Sequence, residues 1–317
     1  MSGPRVVFMG TPDFAVPSLR AVAAACDLAA VVTRPDQPQG RGRTTAESAI
    51  GRVAAELGIP VLKPERPGDE STLGTLRRLT PDLFAVVAFG SILTPELLGV
   101  PRLGSINLHG SLLPDYRGAS PVQRALWDGR ASSGVTTLWM DEGIDTGDVI
   151  LQRWEPIHAE DDAGSLAERL AAVGAPLLVE SLERAARGDA ARVPQDRRAG
   201  SYARKLAKHD GRVDWSLDVE TVWHRQRAVT PWPGASTTLR GKPVQLVRTR
   251  PLHRLDSGAP PGTILGAHGD GLLVACAPGA LDVLALKPEG RAAMAGAAWA
   301  RGARPAPGER FGVEVSA

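Results

Sequence analysis

RVVFMGTPDF, residues 5–14, decides the fold of the N-terminal half of this chain. Arg5–Met9 is a short run rich in apolar and β-branched side chains, which is typical of a buried strand. Gly10 ends the run, and Asp13 is placed to cap a helix whose apolar positions continue to Ala25. A buried strand that turns directly into a helix is the repeating unit of a parallel sheet covered by helices.

The same alternation continues outward from this stretch. Further strands are predicted at Leu28–Val32, Ile59–Leu62, Leu83–Phe89, Gly104–His109, Val135–Met140 and Asp148–Trp154. Helices are predicted at residues 45–57, 69–79, 120–127 and 165–187. Continuous apolar strands alternating with helices indicate a parallel sheet buried on both faces. The first half therefore predicts an α/β domain with a Rossmann-like, mostly parallel sheet.

The pattern changes after residue 187. Residues 188–210 are polar, basic and poor in large apolar side chains, as in a linker. The remainder consists of short strands divided by Gly and Pro turns, with one helix near Leu217–Val229 and a hairpin signal at Leu239–Val244. We predict an N-terminal domain over 1–187, a basic linker over 188–210 and a small OB-like β-barrel over 211–317.

Composition narrows the class of protein. The chain has 317 residues and a net charge of +2, but residues 208–317 hold 14 Lys and Arg against 10 Asp and Glu. This excess fits either a polyanionic partner or ordinary solvated arginines. No apolar run approaches the roughly 20 residues that span a bilayer, and MSGPRVVFMG lacks a signal-peptide pattern. We expect a cytoplasmic monomer without membrane contact, with buried thiols at Cys26 and Cys276.

SINLHGSLLPDYRGASP, residues 105–121, carries more chemistry than a connecting loop needs. Asn107 and His109 lie two positions apart at the end of a strand, so their side chains emerge on one face. An amide donor beside an imidazole suits a carbonyl whose oxygen becomes negative. Asp145 lies in a Gly-flanked turn, GIDTGD, that could return to the same crevice. The plainer alternatives are a packing histidine, a turn-forming aspartate and a solvent-exposed Arg117.

Other reaction classes are disfavoured by spacing. A glycine fingerprint for a nicotinamide cofactor would follow the first strand, but Gly10 has no partners at the required intervals. Ser111 lacks the strand-to-helix turn of a nucleophilic serine. No His, Asp, Glu or Cys grouping has metal-ligand spacing, so we expect no metal.

HGSLLPDYRGASP, with Asn107 upstream and IDTGD downstream, resembles the formyltransferase family that uses 10-formyltetrahydrofolate. The resemblance covers nearly the whole chain and includes MGTPDFAVPSL at the N-terminus, RPDQPQGRG at 34–42, VVAFGSILTPELL at 86–98 and TPWPGA at 230–235. The RPDQPQGRG stretch and the second domain resemble the members that act on methionyl initiator tRNA. Phe89 departs from the tyrosine often found there, and only three lysines occur from residue 208 onward.

The resemblance implies three groups of functional residues. Catalytic roles fall on Asn107, His109 and Asp145. Folate contacts fall on Ser111, Leu112, Leu113, Pro114, Phe89, Gly90, Ile92 and Asp141. Contacts to tRNA fall on Arg41 and Arg43, and the linker residues Arg204, Lys205 and Lys208 can follow phosphates.

The implied reaction moves a formyl group from 10-formyltetrahydrofolate to the α-amino group of the charged tRNA. Direct attack through a tetrahedral intermediate requires neither a covalent enzyme intermediate nor a metal. Three alternatives share parts of this pattern. A sugar-nucleotide N-formyltransferase would use the same catalytic residues on a small amine. A formyltetrahydrofolate hydrolase would use water as acceptor, and an RNA-binding module with a degenerate enzymatic domain would show no turnover.

Overall fold

A computed structural model describes residues 3–39, 44–196, 198–255 and 257–312. The chain divides into two compact units. The first comprises Met1–Pro121, Ser132–Pro156 and Ala167–Arg204, and the second comprises Val122–Ala131, Ile157–Leu166 and Lys205–Ala317. The domain boundaries at residues 187 and 210 stay predictions. Within the described ranges, no helix is both long and apolar enough to cross a bilayer.

The first 204 residues alternate strands and helices. The strands are β1 (Arg5–Gly10), β2 (Asp27–Val32), β3 (Gln37–Gln39), β4 (Thr44–Ala46), β5 (Val61–Leu62), β6 (Leu83–Val87), β7 (Gly104–His109), β8 (Arg117–Gly118), β9 (Ser132–Trp139), β10 (Val149–Pro156) and β11 (Tyr202–Ala203). The helices are α1 (Val16–Ala25), α2 (Ala49–Glu56), α3 (Glu70–Arg78), α4 (Pro95–Leu98), α5 (Pro121–Trp127) and α6 (Ala163–Arg187).

Seven of these strands form one sheet in the order β10-β9-β7-β6-β1-β2-β5. The strands from β7 to β5 are parallel, whereas β9 and β10 add an antiparallel edge beside β7. Every residue of β6 is buried, as expected for a strand covered on both faces. The predicted mostly parallel α/β sheet is therefore confirmed, and β7 lies where the strand direction changes.

Two predicted boundaries were wrong for local reasons. The helix predicted at 45–57 begins only at Ala49, because the Ser48 hydroxyl accepts the Gly51 N–H as an N-cap and β4 occupies the preceding residues. The strand predicted to end at Phe89 ends at Val87, because Ala88 has a φ of 46° and leaves the extended conformation.

The second unit is built on antiparallel strands. Its elements are α7 (Val219–Ala228), β12 (Ala235–Leu239), β13 (Lys242–Leu252), β14 (Ile264–His268), β15 (Gly271–Ala275), β16 (Ala280–Pro288), β17 (Met294–Ala295) and α8 (Gly296–Ala303). The strand order is β12-β13-β16-β15-β14, with β17 on β16. The predicted hairpin is present, and its turn residues Arg240 and Gly241 both have positive φ, as a tight two-residue hairpin turn requires.

Residues 309–312 connect the two ends of this antiparallel sheet. Ile264 N–H donates to the Glu309 carbonyl, and Phe311 N–H donates to the Gly262 carbonyl on the β14 side. Gly312 N–H donates to the Thr238 carbonyl of β12. A core that includes Trp215, Trp299 and Phe311 fills the interior. The mixed α/β class with an antiparallel C-terminal domain is thereby confirmed.

Candidate active site

The end of β7 supplies two of the predicted catalytic side chains. Asn107 and His109 are alternate residues of this strand, so both side chains lie on the same face of the sheet. His109 is 6% exposed and Asn107 is partly exposed. The antiparallel neighbour β9 pairs with both positions, which fixes the strand end from which these side chains emerge.

Asp145 lies in the turn between β9 and β10 and returns to the same place. Its Oδ1 accepts a hydrogen bond from Asn107 Nδ2 at 3.1 Å, and its Oδ2 accepts one from Gly118 N–H at 2.8 Å. Oδ2 also lies 3.5 Å from His109 Nδ1. The structure therefore brings Asp145, from the turn between β9 and β10, together with Asn107 and His109 of β7.

The contacts of the imidazole decide where its hydrogens lie. His109 Nε2 is 2.9 Å from the Tyr116 carbonyl oxygen, which can only accept, so Nε2 carries a hydrogen and donates it. Nδ1 faces the Asp145 carboxylate. The ring therefore lies between two acceptors, the Tyr116 carbonyl oxygen and the Asp145 carboxylate.

The loop after β7 is held by polar contacts from β9 and β10. Thr136 Oγ1 donates to the Ser111 carbonyl at 2.6 Å and accepts from Leu113 N–H at 3.1 Å. Gln152 Nε2 donates to the Leu113 carbonyl at 2.8 Å. The Ser111 hydroxyl donates to the Asp115 carbonyl at 2.6 Å, closing the turn from within. The loop is consequently fixed on both sides before any ligand arrives.

The predicted folate residues fall into two groups in the structure. Ser111, Leu113 and Phe89 are at most 5% exposed, so their side chains serve packing or the loop's own turn. Surface is offered by Leu112, Pro114, Gly90, Ile92 and Asp141, of which Ile92 is 78% exposed. The folate contacts stay predictions for both groups.

A cleft of about 710 Å³ lies beside the turn that carries Asp145. Its walls come from Pro95, Leu98 and Gly99 around α4, and from Asp141, Glu142, Gly143 and Thr146. Asp141 Oδ1 accepts from Gly143 N–H at 3.0 Å and from the Thr146 hydroxyl at 2.7 Å, which orients the carboxylate at the cleft wall. The cleft combines apolar walls with an acidic group, as small-ligand sites commonly do.

The predicted tRNA residues are only partly described. Arg41 and Arg43 lie outside the described residues, between the paired strands β3 and β4. Arg204, Lys205 and Lys208 are exposed. The flanks of the β3–β4 segment are fixed by Lys63, whose Nζ contacts Asp36 at 2.9 Å and Glu47 at 2.7 Å.

Gln195 is the main site residue that the sequence did not reveal, whereas Arg117 was expected either to help set the loop that leads into the next helix or to be exposed to solvent. The solvent-exposed alternative for Arg117 was wrong, since the residue is 2% exposed and donates to Gln195, Asp196 and Ala199. Gln195 in turn donates to the Asp145 and Gly147 carbonyls. A lone glutamine within a polar segment carries no periodic or motif signal, so sequence reasoning had nothing with which to select it.

The cysteines do not provide a reactive thiolate. Burial raises the pKa of the Cys276 thiol to about 12, and burial together with the nearby Glu183 carboxylate raises that of Cys26 to about 11. Cys276 is buried as predicted, while Cys26 is partly exposed. Among the described residues, no three His, Cys, Asp or Glu side chains are grouped so that they could hold a metal ion.

Comparison with known proteins identifies the family of this chain. Residues 5–182 match the formyl transferase family model, and residues 205–304 match the model of the formyl transferase C-terminal domain. The methionyl-tRNA formyltransferase of Citrifermentans bemidjiense is 42% identical over 313 residues, which is 98% of each chain.

Solved structures share the fold at lower identity. The N-formyltransferase of Helicobacter canadensis, in complex with folinic acid and dTDP-3-aminofucose, is 18% identical with a TM-score of 0.65, covering 89% of this chain and 99% of that one. HypX of Aquifex aeolicus in complex with tetrahydrofolic acid is 22% identical with a TM-score of 0.63. That match covers 94% of this chain but only 47% of HypX. The family models and the full-length relative agree with the resemblance of the sequence: this chain belongs to the formyl transferase family.

Proposed function

We propose that this protein transfers the formyl group of 10-formyltetrahydrofolate to the α-amino group of methionyl initiator tRNA. The observation that carries the proposal is the meeting of Asn107, His109 and Asp145 in a chain that is 42% identical, over nearly its full length, to a methionyl-tRNA formyltransferase. The neighbour that binds an amino sugar is 18% identical and supports only the fold.

Asn107 serves the formyl oxygen. Its amide donates one hydrogen to Asp145 Oδ1, which leaves the second Nδ2 hydrogen for an oxygen that becomes negative as the amine attacks. A donor fixed in place before reaction stabilises such an oxyanion without reorganisation. Asn107 therefore donates one hydrogen bond to the substrate and another to the catalytic carboxylate.

His109 and Asp145 manage charge and the proton. The imidazolium, held between the Tyr116 carbonyl and Asp145, contributes positive charge near the developing oxyanion. A direct hydrogen bond from the ring to that oxygen requires substrate to replace one of these two partners. The amine attacks the formyl carbon and forms the new N–C bond. The amine then loses a proton, which passes through the Asp145–His109 pair and water to N10 of the folate as the old C–N10 bond breaks.

The formyl donor fits the surface beside this pair. An α-amino group has an ordinary pKa of about 7.7–8.0, so part of the acceptor amine is neutral near pH 7. The site then needs to hold the formyl carbon within reach of that amine. We place the folate against the exposed Ile92 and the cleft lined by Asp141, whose carboxylate can accept hydrogen bonds from ring N–H groups. The donor supplies the activated formyl carbon, and the residues around it supply orientation.

The tRNA is proposed to bind through basic side chains in two parts of the sequence. Arg41 and Arg43 lie in the segment between β3 and β4, and the exposed Arg204, Lys205 and Lys208 form a short basic run. Contacts of this kind release counterions from the phosphates, so affinity should fall steeply with salt. The proposal also includes a monomeric enzyme working in the cytoplasm, which sedimentation and fractionation can test.

The proposal is tested by offering several acceptors to the same enzyme with 10-formyltetrahydrofolate. Methionyl initiator tRNA, free methionine and a nucleotide-linked amino sugar are compared, and formate release without acceptor is measured in parallel. Formylation of the charged tRNA alone is expected. Preferential formylation of the amino sugar, formate release alone, or salt-sensitive tRNA binding without turnover would each contradict it.

A further inference from the structure

The side-chain amide of Gln195 joins the turn that carries Asp145 to a buried arginine. Its Nε2 donates to the Asp145 carbonyl at 2.9 Å and to the Gly147 carbonyl at 2.7 Å. Its Oε1 accepts from Arg117 Nε at 3.1 Å and Nη2 at 2.9 Å. The two acceptor contacts fix which end of the amide is oxygen, so both N–H groups must point at the Asp145 turn.

This connection is needed because the turn is conformationally costly. Asp145 has a φ of 54°, a left-handed conformation that is unfavourable for a non-glycine residue and persists only where the surroundings hold it. The carboxylate must nevertheless reach Asn107, Gly118 and His109 at once. The two hydrogen bonds from Gln195 hold the backbone on both sides of Thr146 and so fix the backbone position from which the Asp145 side chain extends.

The same segment also holds the other side of the carboxylate. β11 (Tyr202–Ala203) pairs in parallel with β8 (Arg117–Gly118), and the N–H of Gly118 is a donor to Asp145 Oδ2. A Cβ on Gly118 would lie 2.8 Å from the Ala203 carbonyl oxygen, so this strand pair is closely packed. Gln195 therefore supports the Asp145 turn, and Tyr202–Ala203 support the Gly118 N–H that donates to the Asp145 carboxylate.

We propose that Gln195 is a positioning residue that sets the Asp145 carboxylate against His109 and Asn107 for formyl transfer. The inference rests on the proposed role of Asp145 and extends it to a residue that touches no reacting atom. Loss of the two Nε2 hydrogen bonds should let the turn relax, because a displacement of about 1 Å in a catalytic group can cost about 100-fold in rate.

The test is Gln195→Glu, which keeps the volume and the acceptor for Arg117 but removes both N–H donors. We expect kcat for formylation of methionyl initiator tRNA to fall about 10- to 100-fold, with KM for the formyl donor within about 2-fold. We also expect a displaced kcat–pH profile, since the carboxylate no longer holds its place beside the imidazole. Gln226→Glu is the matched control: this buried amide donates to Thr230 and the Val247 carbonyl within the second unit, and its kcat–pH profile should match wild type.

The outcomes separate this inference from the proposed function. Wild-type kcat and an unchanged pH profile in Gln195→Glu, alongside an active wild type and an inactive Asp145→Ala, would overturn the positioning role alone. A lower melting temperature with unchanged kinetics would also overturn it, because it would show a purely structural role. An inactive wild type would instead overturn the proposed function.

Discussion

Asp145 Oδ2 lies 3.5 Å from His109 Nδ1 while it accepts the Gly118 N–H at 2.8 Å. One carboxylate oxygen is thus shared between the imidazole and a backbone donor, and the other receives the Asn107 amide at 3.1 Å. The carboxylate organises the site, since it joins two side chains of β7 to the backbone of β8.

Asn107→Asp should abolish most activity although its size is unchanged. The substitution replaces the Nδ2 donor with an oxygen and places a second carboxylate against Asp145 Oδ1. Loss of one oxyanion donor typically lowers turnover about 100- to 1000-fold, and we expect a loss at least that large. Formyl transfer under saturating substrates measures it, and activity within a few-fold of wild type would remove Asn107 from the mechanism.

Lys63→Met should weaken tRNA binding without affecting the chemical step. Hydrogen bonds that Lys63 Nζ donates to the Glu47 carboxylate and to the Asp36 carboxylate raise the pKa of Lys63, so it is a charged anchor for both flanks of the β3–β4 segment. We expect a higher KM for methionyl initiator tRNA with unchanged kcat. Arg20→Met, which breaks the exposed pair with Glu56, is the control and should leave both constants unchanged. Equal KM values for tRNA in the two variants would contradict the role of Lys63 as an anchor of this segment.

Arg117→Lys should destabilise the first unit by about 3 kcal/mol. Lysine cannot reproduce the forked contacts to Gln195, Asp196 and Ala199, so a buried cation would lose part of its hydrogen bonding. Urea unfolding followed by far-UV circular dichroism gives the change. Arg102→Lys changes an exposed pair with Asp82 and should cost less than about 1 kcal/mol. If the two variants are equally stable, burial of Arg117 has no energetic consequence.

Asp218→Ala should lower stability in a pH-dependent way. Asp218 caps α7, and hydrogen bonds from the Thr221 N–H and hydroxyl lower the pKa of its carboxyl group. A depressed folded-state pKa contributes stability above the unfolded pKa and loses it as pH falls through the folded value. The variant should cost about 1 kcal/mol at pH 7, and this difference should narrow below about pH 4.

The control for the cap is Asp270→Ala, an exposed residue of the second unit whose loss should cost less than about 0.5 kcal/mol. Urea titrations at pH 7, 4 and 2 compare both variants with wild type. A pH-independent cost for Asp218→Ala would show that the carboxylate charge does not contribute to the cap.

Apolar periodicity predicted the parts of the fold that a buried sheet dictates. β7 was predicted at its observed bounds, and so was the same-face emergence of Asn107 and His109, because strand alternation is a local property. The hairpin turn at Arg240 and Gly241 was equally local, since Gly241 readily adopts the positive φ that a two-residue turn requires. Asp145 was selected from its turn, but its contacts depend on tertiary structure.

Contacts between distant polar residues left no comparable pattern. Gln195 reaches the Asp145 turn from a segment predicted to be a linker, and the buried Arg117 donates to Gln195 and Asp196 of the same segment. The start of α2 was misplaced because the Ser48 cap and β4 override the helical pattern before Ala49. In each case a hydrogen-bonding partner decided the structure, and hydropathy does not encode such partners.

The central claim is that Asp145 organises formyl transfer to charged tRNA. The most direct measurement is the single-turnover rate of formylmethionyl-tRNA formation by wild type and by Asp145→Asn, with saturating 10-formyltetrahydrofolate and matched melting temperatures. The account predicts rapid transfer by wild type and a rate at least about 100-fold lower in the variant, because the amide cannot accept from Asn107 and Gly118 while facing an imidazolium. Equal rates for the two proteins would contradict it.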